Sequence, residues 1–166
     1  MPARPSEKKW TAQNSVPTEA DWKDDADADH TLYSLDVTHA FQTFAGKANQ
    51  EMQSRFFQNV LGCAEDLDYL PRIPFQYYML GFRDFVMAGN FGWCDSSDAA
   101  SSFLNRICRK LKEQPHFIRP IMPDLMPAVI YVSENQQLFD ADVDIYGDFK
   151  AIRRLIEELY TGSPPP

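Results

Sequence analysis

The fold class is decided by residues 96–115, which read SSDAASSFLNRICRKLKEQP. Apolar side chains recur there every three or four positions, the period of one face of an α-helix. They are Phe103, Leu104, Ile107, Cys108 and Leu111. Ser96 or Ser97 is expected to cap this helix, Asp98 opposes the positive end of its dipole, and Pro115 ends it. The stretch therefore predicts an amphipathic helix with one buried face.

Two other stretches repeat this period. Behind Pro74, which suits a first helical turn, the apolar pattern predicts a helix that ends near Gly89; its residues are Phe75, Tyr78, Met79, Phe82, Phe85 and Val86. A last helix is predicted from about Asp148 to Tyr160, with the stripe Phe149, Ile152, Leu155, Ile156 and Leu159. These two helices and the first supply three buried faces of one core.

The remaining apolar segments allow more than one interpretation. From Asp36, interpreted as an N-cap, to Val60 the helical spacing predicts one long helix or two, with a break at Gly46. Between residues 116 and 147, a helix from about Asp124 to Gln136 is favoured over a hairpin of residues 128–132 with 138–145. The predicted fold class is therefore all-α, a single-domain bundle of about five or six helices. The alternative is α+β with a small hairpin in residues 128–145.

Length and composition predict one domain with two tails. The 166 residues are enough for a single core, and 44% of them are hydrophobic. Residues 1–30 hold several prolines and a run of carboxylates, which predicts an acidic flexible arm, with Trp10 and Trp22 either docked on the domain or exposed. The helical domain is assigned to residues 31–161. Residues 162–166 are assigned to a proline-rich tail.

The charge and the cysteines exclude several classes of protein. A net charge of −8 and a pI near 4.8 argue against binding to nucleic acid or to an anionic membrane surface. The N-terminus shows no apolar run of a secretory signal, and no stretch is long enough to cross a bilayer. The three cysteines are predicted to be reduced thiols of a cytoplasmic protein, with Cys63 and Cys94 in loops and Cys108 buried on a helix.

No catalytic motif is found in the sequence. A phosphate-binding glycine loop and a G-x-S-x-G serine motif are both missing, and the letters Glu-x-x-His at residues 113–116 are broken by Pro115. His30, His39 and His116 are interpreted as ordinary surface histidines. We therefore predict no catalytic residue, no metal ligand and no cofactor.

The acidic run at the end of the domain resembles a metal site in composition only. Asp140, Asp142 and Asp144 alternate as calcium ligands do, and numbering from Asp142 puts Gly147 at the sharp turn. The twelfth position of such a loop would then be Arg153, a cation, which defeats the EF-hand interpretation. A metal-dependent enzyme or metal-binding module using Asp140, Asp142, Asp144 and Asp148, joined by Glu65, Asp66 and Asp68, remains the alternative function. Otherwise these carboxylates are solvated and Asp148 caps the last helix.

The charge distribution points to a protein partner. Residues 106–119 hold five basic side chains against Glu113, and residues 134–148 hold five acidic ones and no basic one. Either the two segments neutralise each other or solvate their own faces, or the acidic one steers a basic partner. The preferred hypothesis is a non-catalytic protein-interaction module, such as an inhibitor or immunity-type protein that masks a basic partner such as a toxin. The candidate partner-binding residues are Asp140, Asp142, Asp144, Asp148, Phe91 and Trp93, and the oligomeric state is left open.

Overall fold

The computed structural model describes residues 15–23 and 35–162. These residues form helices and no strand, so the all-α class is confirmed and the hairpin alternative is wrong. The helices are α1 (Glu19–Lys23), α2 (Leu35–Phe44), α3 (Asn49–Gln58), α4 (Val60–Leu67), α5 (Arg72–Ala88), α6 (Ser96–Glu113), α7 (Pro115–Ile118), α8 (Met122–Glu134), α9 (Val143–Tyr146) and α10 (Phe149–Thr161). Within the described ranges eight of them have five residues or more, so the predicted five or six is wrong.

The additional helices are α1 and one within residues 35–67, where three helices take the place of the predicted one or two. Gly46 takes a φ of +75° and separates α2 from α3, as the sequence suggested. Asn59, with a φ of −155° and a ψ of 76°, then interrupts the helical path, and its side chain accepts a hydrogen bond from the amide of Gly62. Asp36 is not an N-cap, because α2 begins at Leu35 and places Asp36 in its first turn.

Helix α5 lies at the centre of the bundle and contacts α3, α6, α7 and α8. The fully buried aromatic side chains that pack on and around it are Phe44, Phe56, Phe75, Tyr78, Phe82, Phe103, Phe117 and Phe149. The helix ends as predicted at Gly89, which adopts the left-handed conformation with a φ of 68°. Tyr78 joins it to the end of α2, since its hydroxyl lies 2.6 Å from the carbonyl oxygen of Phe44.

Helix α6 begins differently from its prediction. Its N-cap is Asp95, and neither serine caps it. Ser96 Oγ donates instead to the carbonyl of Phe139 at 2.9 Å, and Ser97 Oγ donates to the hydroxyl of Tyr146 at 3.0 Å. Both serines therefore connect α6 to the segment behind α8.

The ambiguous region holds helices joined by turns, and its described residues form no strand. The helix predicted near residues 124–136 is α8, and Leu125, Val129 and Val132 are all buried on one of its faces. Pro127 lies inside α8, and short 3-10 turns at Arg119–Ile121 and Gln136–Phe139 flank the helix. The β-branched residues in 128–132 favour a strand, and this preference suggested the hairpin. Burial on a face of α8 outweighs that preference.

The N-terminal arm is described only in part. Trp22, on α1, packs edge-on against Phe41 with ring centres 5.1 Å apart, and its ring lies 6.3 Å from that of Tyr78. Trp10, His30, the carboxylates of residues 24–29 and the prolines of the tail lie outside the described residues. No helix that the structure describes is long and apolar enough to cross a membrane.

Candidate interaction surface

The fold brings together the two segments that hold the candidate partner-binding residues. The loop of residues 89–95 lies beside residues 134–148, and the rings of Phe91 and Phe139 are 6.0 Å apart. The hydrogen bonds of Ser96 and Ser97 to Phe139 and Tyr146 fasten the two segments at the start of α6. We call the surface that residues 89–95 and 134–148 form the acidic face.

The acidic face is indented by two grooves. The first, of about 620 Å³, is lined by the carboxylates Asp95 and Asp140 and by the apolar or aromatic residues Phe91, Tyr131, Leu138 and Phe139, among others. The second, of about 580 Å³, includes Glu134, Val143, Asp148 and Lys150. Leu138 lines both grooves and therefore separates them.

Large apolar side chains are unusually exposed on the acidic face. Trp93 is 95% exposed, Ile145 74%, Val143 55% and Leu138 47%. They are four of the nine large apolar residues that are exposed in the described part of the chain. Exposed apolar side chains on a face that also carries carboxylates suit protein contacts, since exposed apolar patches rimmed by polar groups are typical of interaction sites.

The loop that carries Trp93 is held in place by packing against the aromatic rings of Phe57 and Phe85. Gly92 takes a φ of +53°, and a Cβ atom placed on it would lie 2.2 Å from the Phe57 ring. Phe91 packs edge-on against Phe85, with ring centres 5.6 Å apart. Gly92 packs on the ring of Phe57, and the ring of Phe91 packs against the core. The exposed Trp93 indole therefore projects from a turn that is held in place on both counts.

Residues 140–149 are held by hydrogen bonds to Gln136 and to the first turn of α6. The amide nitrogen of Gln136 donates to the carbonyls of Ala141 and Gly147, and its oxygen accepts from the amide of Phe149. The hydroxyl of Tyr146 donates to Asp98 at 2.9 Å while accepting from Ser97. These bonds define one conformation for the acidic segment.

The four predicted aspartates divide into two pairs. Asp142 accepts from the amide of Asp144 at 2.8 Å and caps α9, and Asp148 accepts from the amide of Lys150 at 2.9 Å and caps α10, as predicted. Within residues 15–23 and 35–162, no hydrogen bond or ion pair occupies the carboxylates of Asp140 and Asp144. Asp140 and Asp144 are therefore the carboxylates available to a partner.

Two of the five basic side chains in residues 106–119 pair with carboxylates outside the acidic face. Arg106 and Arg109 form ion pairs with Asp68, and Arg109 also pairs with Glu113. On the acidic side, Glu134 is the one carboxylate that pairs with a cation among the described residues, and its partner is Arg153 of α10. The acidic face therefore keeps its negative charge, contrary to the interpretation in which the basic and acidic segments neutralise each other.

The carboxylates proposed as a combined metal site are not brought together. Asp68 lies between two arginines, and Asp66 accepts from Thr43 and lies 3.0 Å from the ring nitrogen of His39. Among the residues that the structure describes, no group of three or more His, Cys, Asp or Glu side chains is placed to hold a metal ion.

The thiols are poor nucleophiles. Cys63 lies inside α4 and is buried, so its assignment to an exposed loop is wrong, and burial raises its pKa to about 11. Burial also raises the pKa of Cys94, which lines the first groove. Cys108 is buried, as predicted. Because the thiolate is the reactive form, a raised pKa keeps Cys63 and Cys94 inert at neutral pH.

Sequence reasoning missed Leu138, Val143, Ile145 and Asp95 as members of this surface. The signal for two of them was present, because residues 140–145 alternate acidic and apolar side chains and the apolar ones need not all be buried. No known protein family, curated protein or solved structure matches this chain.

Proposed function

We propose that this chain is a non-catalytic protein-interaction module that binds a basic protein through its acidic face. The observation that carries the proposal is the exposure of Trp93 and Ile145 on the face that also presents the unpaired carboxylates of Asp140 and Asp144. An indole left 95% in water contributes almost nothing to folding, so its burial is expected to be gained on binding.

Charge and shape support the same partner. A net charge of −8 repels acidic macromolecules, and carboxylates around an apolar centre attract a basic one and raise its association rate. Tryptophan is among the residues that dominate binding energy when an interface excludes water from them. A partner with basic side chains around an apolar contact would therefore complement the acidic face.

Within this class we propose an inhibitor or immunity-type protein that masks a basic partner, such as a toxin, in the cytoplasm. Three unpaired cysteines support a reducing compartment. The pre-formed acidic face supports a role in masking, because a rigid surface binds without the cost of ordering a loop. No observation favours the metal-dependent alternative.

The test is a quantitative capture experiment with the full chain immobilised and lysate of the organism that encodes it. The wild type is compared with the triple variant Trp93→Ser, Asp140→Asn and Asp144→Asn. The control variant, Glu65→Gln with Glu158→Gln, also removes negative charge but from exposed positions outside the acidic face. We expect one basic protein to be retained by the wild type and the control and lost from the triple variant.

Salt dependence supplies the second measurement. Association of the captured protein with the wild type is expected to slow steeply as ionic strength rises, because salt screens the attraction between opposite charges. Retention of the same proteins by the wild type and both variants, or a captured protein that is acidic, would refute the proposal.

A further inference from the structure

We infer that the first groove binds one apolar side chain of the partner. A lysine or arginine of the partner, next to that side chain, would lie at the rim of the groove. The inference rests on the proposed function and specifies the ligand chemistry of the same face: a short protein segment that pairs an apolar residue with a cation. Its evidence is the lining of the groove and the surfaces that continue from it.

The groove has the size of a ligand site and an aromatic lining, so it has room for an apolar side chain together with its neighbours in the partner segment. Its volume of about 620 Å³ falls within the range of about 300–1,000 Å³ that ligand pockets span. Phe91, Tyr131 and Phe139 supply aromatic surface, and the ring of Phe139 lies 6.0 Å from that of Phe91 and 6.4 Å from that of Tyr131. These rings are held by the core, so the site is formed before a ligand arrives.

The rim of the groove selects a cation. Asp95 and Asp140 line it, and none of the described lysines or arginines does. Asp140 holds its carboxylate without a hydrogen-bond partner among the described residues, and Ser96, which also lines the groove, already donates to Phe139. The second groove is less suitable, because Lys150 stands beside Asp148 there and Glu134 is paired with Arg153.

The surroundings favour a protein segment as the occupant. Trp93 is exposed between Gly92 and Cys94, which both line the groove, so a ligand that fills the groove and also covers this indole is larger than a single side chain. A second copy of this chain would set carboxylates against carboxylates, and like charges in contact oppose association. Charge complementarity therefore indicates that the groove binds a basic segment of a different protein.

The probe is a displayed library of random twelve-residue peptides, selected on the immobilised full chain. We expect the enriched sequences to place Lys or Arg close to Leu, Phe, Tyr or Trp. A synthetic copy of the most enriched peptide should then bind Leu138→Ser and Asp140→Asn at least about tenfold more weakly than the wild type, as when a central contact is removed.

Matched variants control for each change. Leu155→Ser removes an exposed leucine from α10, and Glu65→Gln removes an exposed carboxylate from α4, both outside the groove; neither should weaken binding. Asp140 has a φ of 51°, a conformation that asparagine tolerates as well as aspartate does, so Asp140→Asn should preserve the turn. Circular dichroism checks the fold of every variant, and Asp140→Asn alone decides the outcome if Leu138→Ser does not fold.

Enrichment of no peptide, or of peptides without basic residues, overturns the inference. Enriched basic peptides that bind Leu138→Ser and Asp140→Asn as tightly as the wild type also overturn it, but they leave the proposal of a basic protein partner standing. Peptides that bind at the groove, combined with a failed capture from lysate, would instead keep the groove and remove the cellular partner as proposed.

Discussion

The side-chain amide of Gln136 donates a hydrogen bond to the backbone carbonyl of Gly147 at 2.8 Å, and this contact closes the acidic segment into a loop. The same nitrogen lies 3.1 Å from the carbonyl oxygen of Ala141, and the side-chain oxygen accepts from the amide of Phe149 at 2.9 Å. One side chain therefore satisfies three backbone groups and joins the end of α8 to the start of α10. The position of Asp140 and Asp144 depends on this residue.

The variant Gln136→Leu should lower the free energy of unfolding by about 1–2 kcal/mol, because leucine leaves three backbone groups to find other partners. Gln137→Leu is the matched control, since Gln137 is the exposed neighbour, and it should change stability by less than about 0.5 kcal/mol. Urea denaturation followed by circular dichroism measures both. Equal stabilities of the two variants would show that the Gln136 contacts contribute nothing.

A methyl group at Gly92 should destabilise the loop for two reasons. The φ of +53° is unfavourable for alanine, and the added carbon would lie 2.2 Å from the Phe57 ring. Gly92→Ala should therefore cost about 1–3 kcal/mol. The control is Gly46→Ala, where φ is +75° but nothing lies within 4 Å of the added carbon, so that only the backbone strain is tested.

A double-mutant cycle separates the clash from the strain. In a Phe57→Ala background the ring is gone, so Gly92→Ala should cost no more than Gly46→Ala costs in the wild type. A full cost of Gly92→Ala in that background would mean that the ring does not determine the position of the loop.

Lys110 makes stability depend on pH. It is 2% exposed, it lies between the rings of Phe75 and Phe117, and its Nζ donates to Gln114 and to the carbonyl of Asp68. Burial lowers its pKa from 10.5 to about 8. Between these values the unfolded chain binds a proton at Lys110 that the folded chain has released, so this residue's contribution to stability rises with pH.

The variant Lys110→Met removes that contribution. As pH rises from 8 to 10, the stability of the wild type relative to Lys110→Met should increase, by up to about 1.4 kcal/mol per pH unit. Burial also raises the pKa values of Cys63 and Tyr78, which act in the opposite direction at high pH. Cys63 and Tyr78 are present in both proteins, so their contributions cancel in the stability difference between the wild type and Lys110→Met. Parallel stability curves from pH 7 to pH 10 would contradict a lowered pKa at Lys110.

Periodicity predicted the parts of this fold that local pattern determines. The stripe of α6, the start of α10 at Asp148 and the end of α5 at Gly89 each follow from residues a few positions apart. The apolar period runs through Asn59 without a break, so the pattern indicates no helix boundary there. The division of residues 35–67 therefore required the backbone geometry at Asn59.

The acidic face depends on contacts between residues about fifty positions apart. Ser97 meets Tyr146, and Phe91 meets Phe139, and no local spacing encodes either pair. The sequence supplied Asp140, Trp93 and their neighbours as separate candidates. Only the packing of residues 134–148 against the start of α6 makes them one surface.

Removal of the Trp93 indole should leave stability almost unchanged. The side chain is 95% exposed, so Trp93→Ser should alter the free energy of unfolding by less than about 0.5 kcal/mol. Phe91→Ser, two residues away, should cost about 2 kcal/mol, because that ring packs against Phe85 and Phe139. Thermal and urea unfolding of both variants measure the contrast.

The contrast also tests why a tryptophan occupies position 93. If it serves binding, Trp93→Ser should weaken binding of the selected basic peptides while unfolding at the wild-type urea concentration, a separation of binding from stability. Phe91→Ser should reduce both, since the groove floor and the loop support are lost together. A Trp93→Ser variant that loses stability as Phe91→Ser does would show that the indole is a packing residue, and the acidic face would then lose its principal apolar contact.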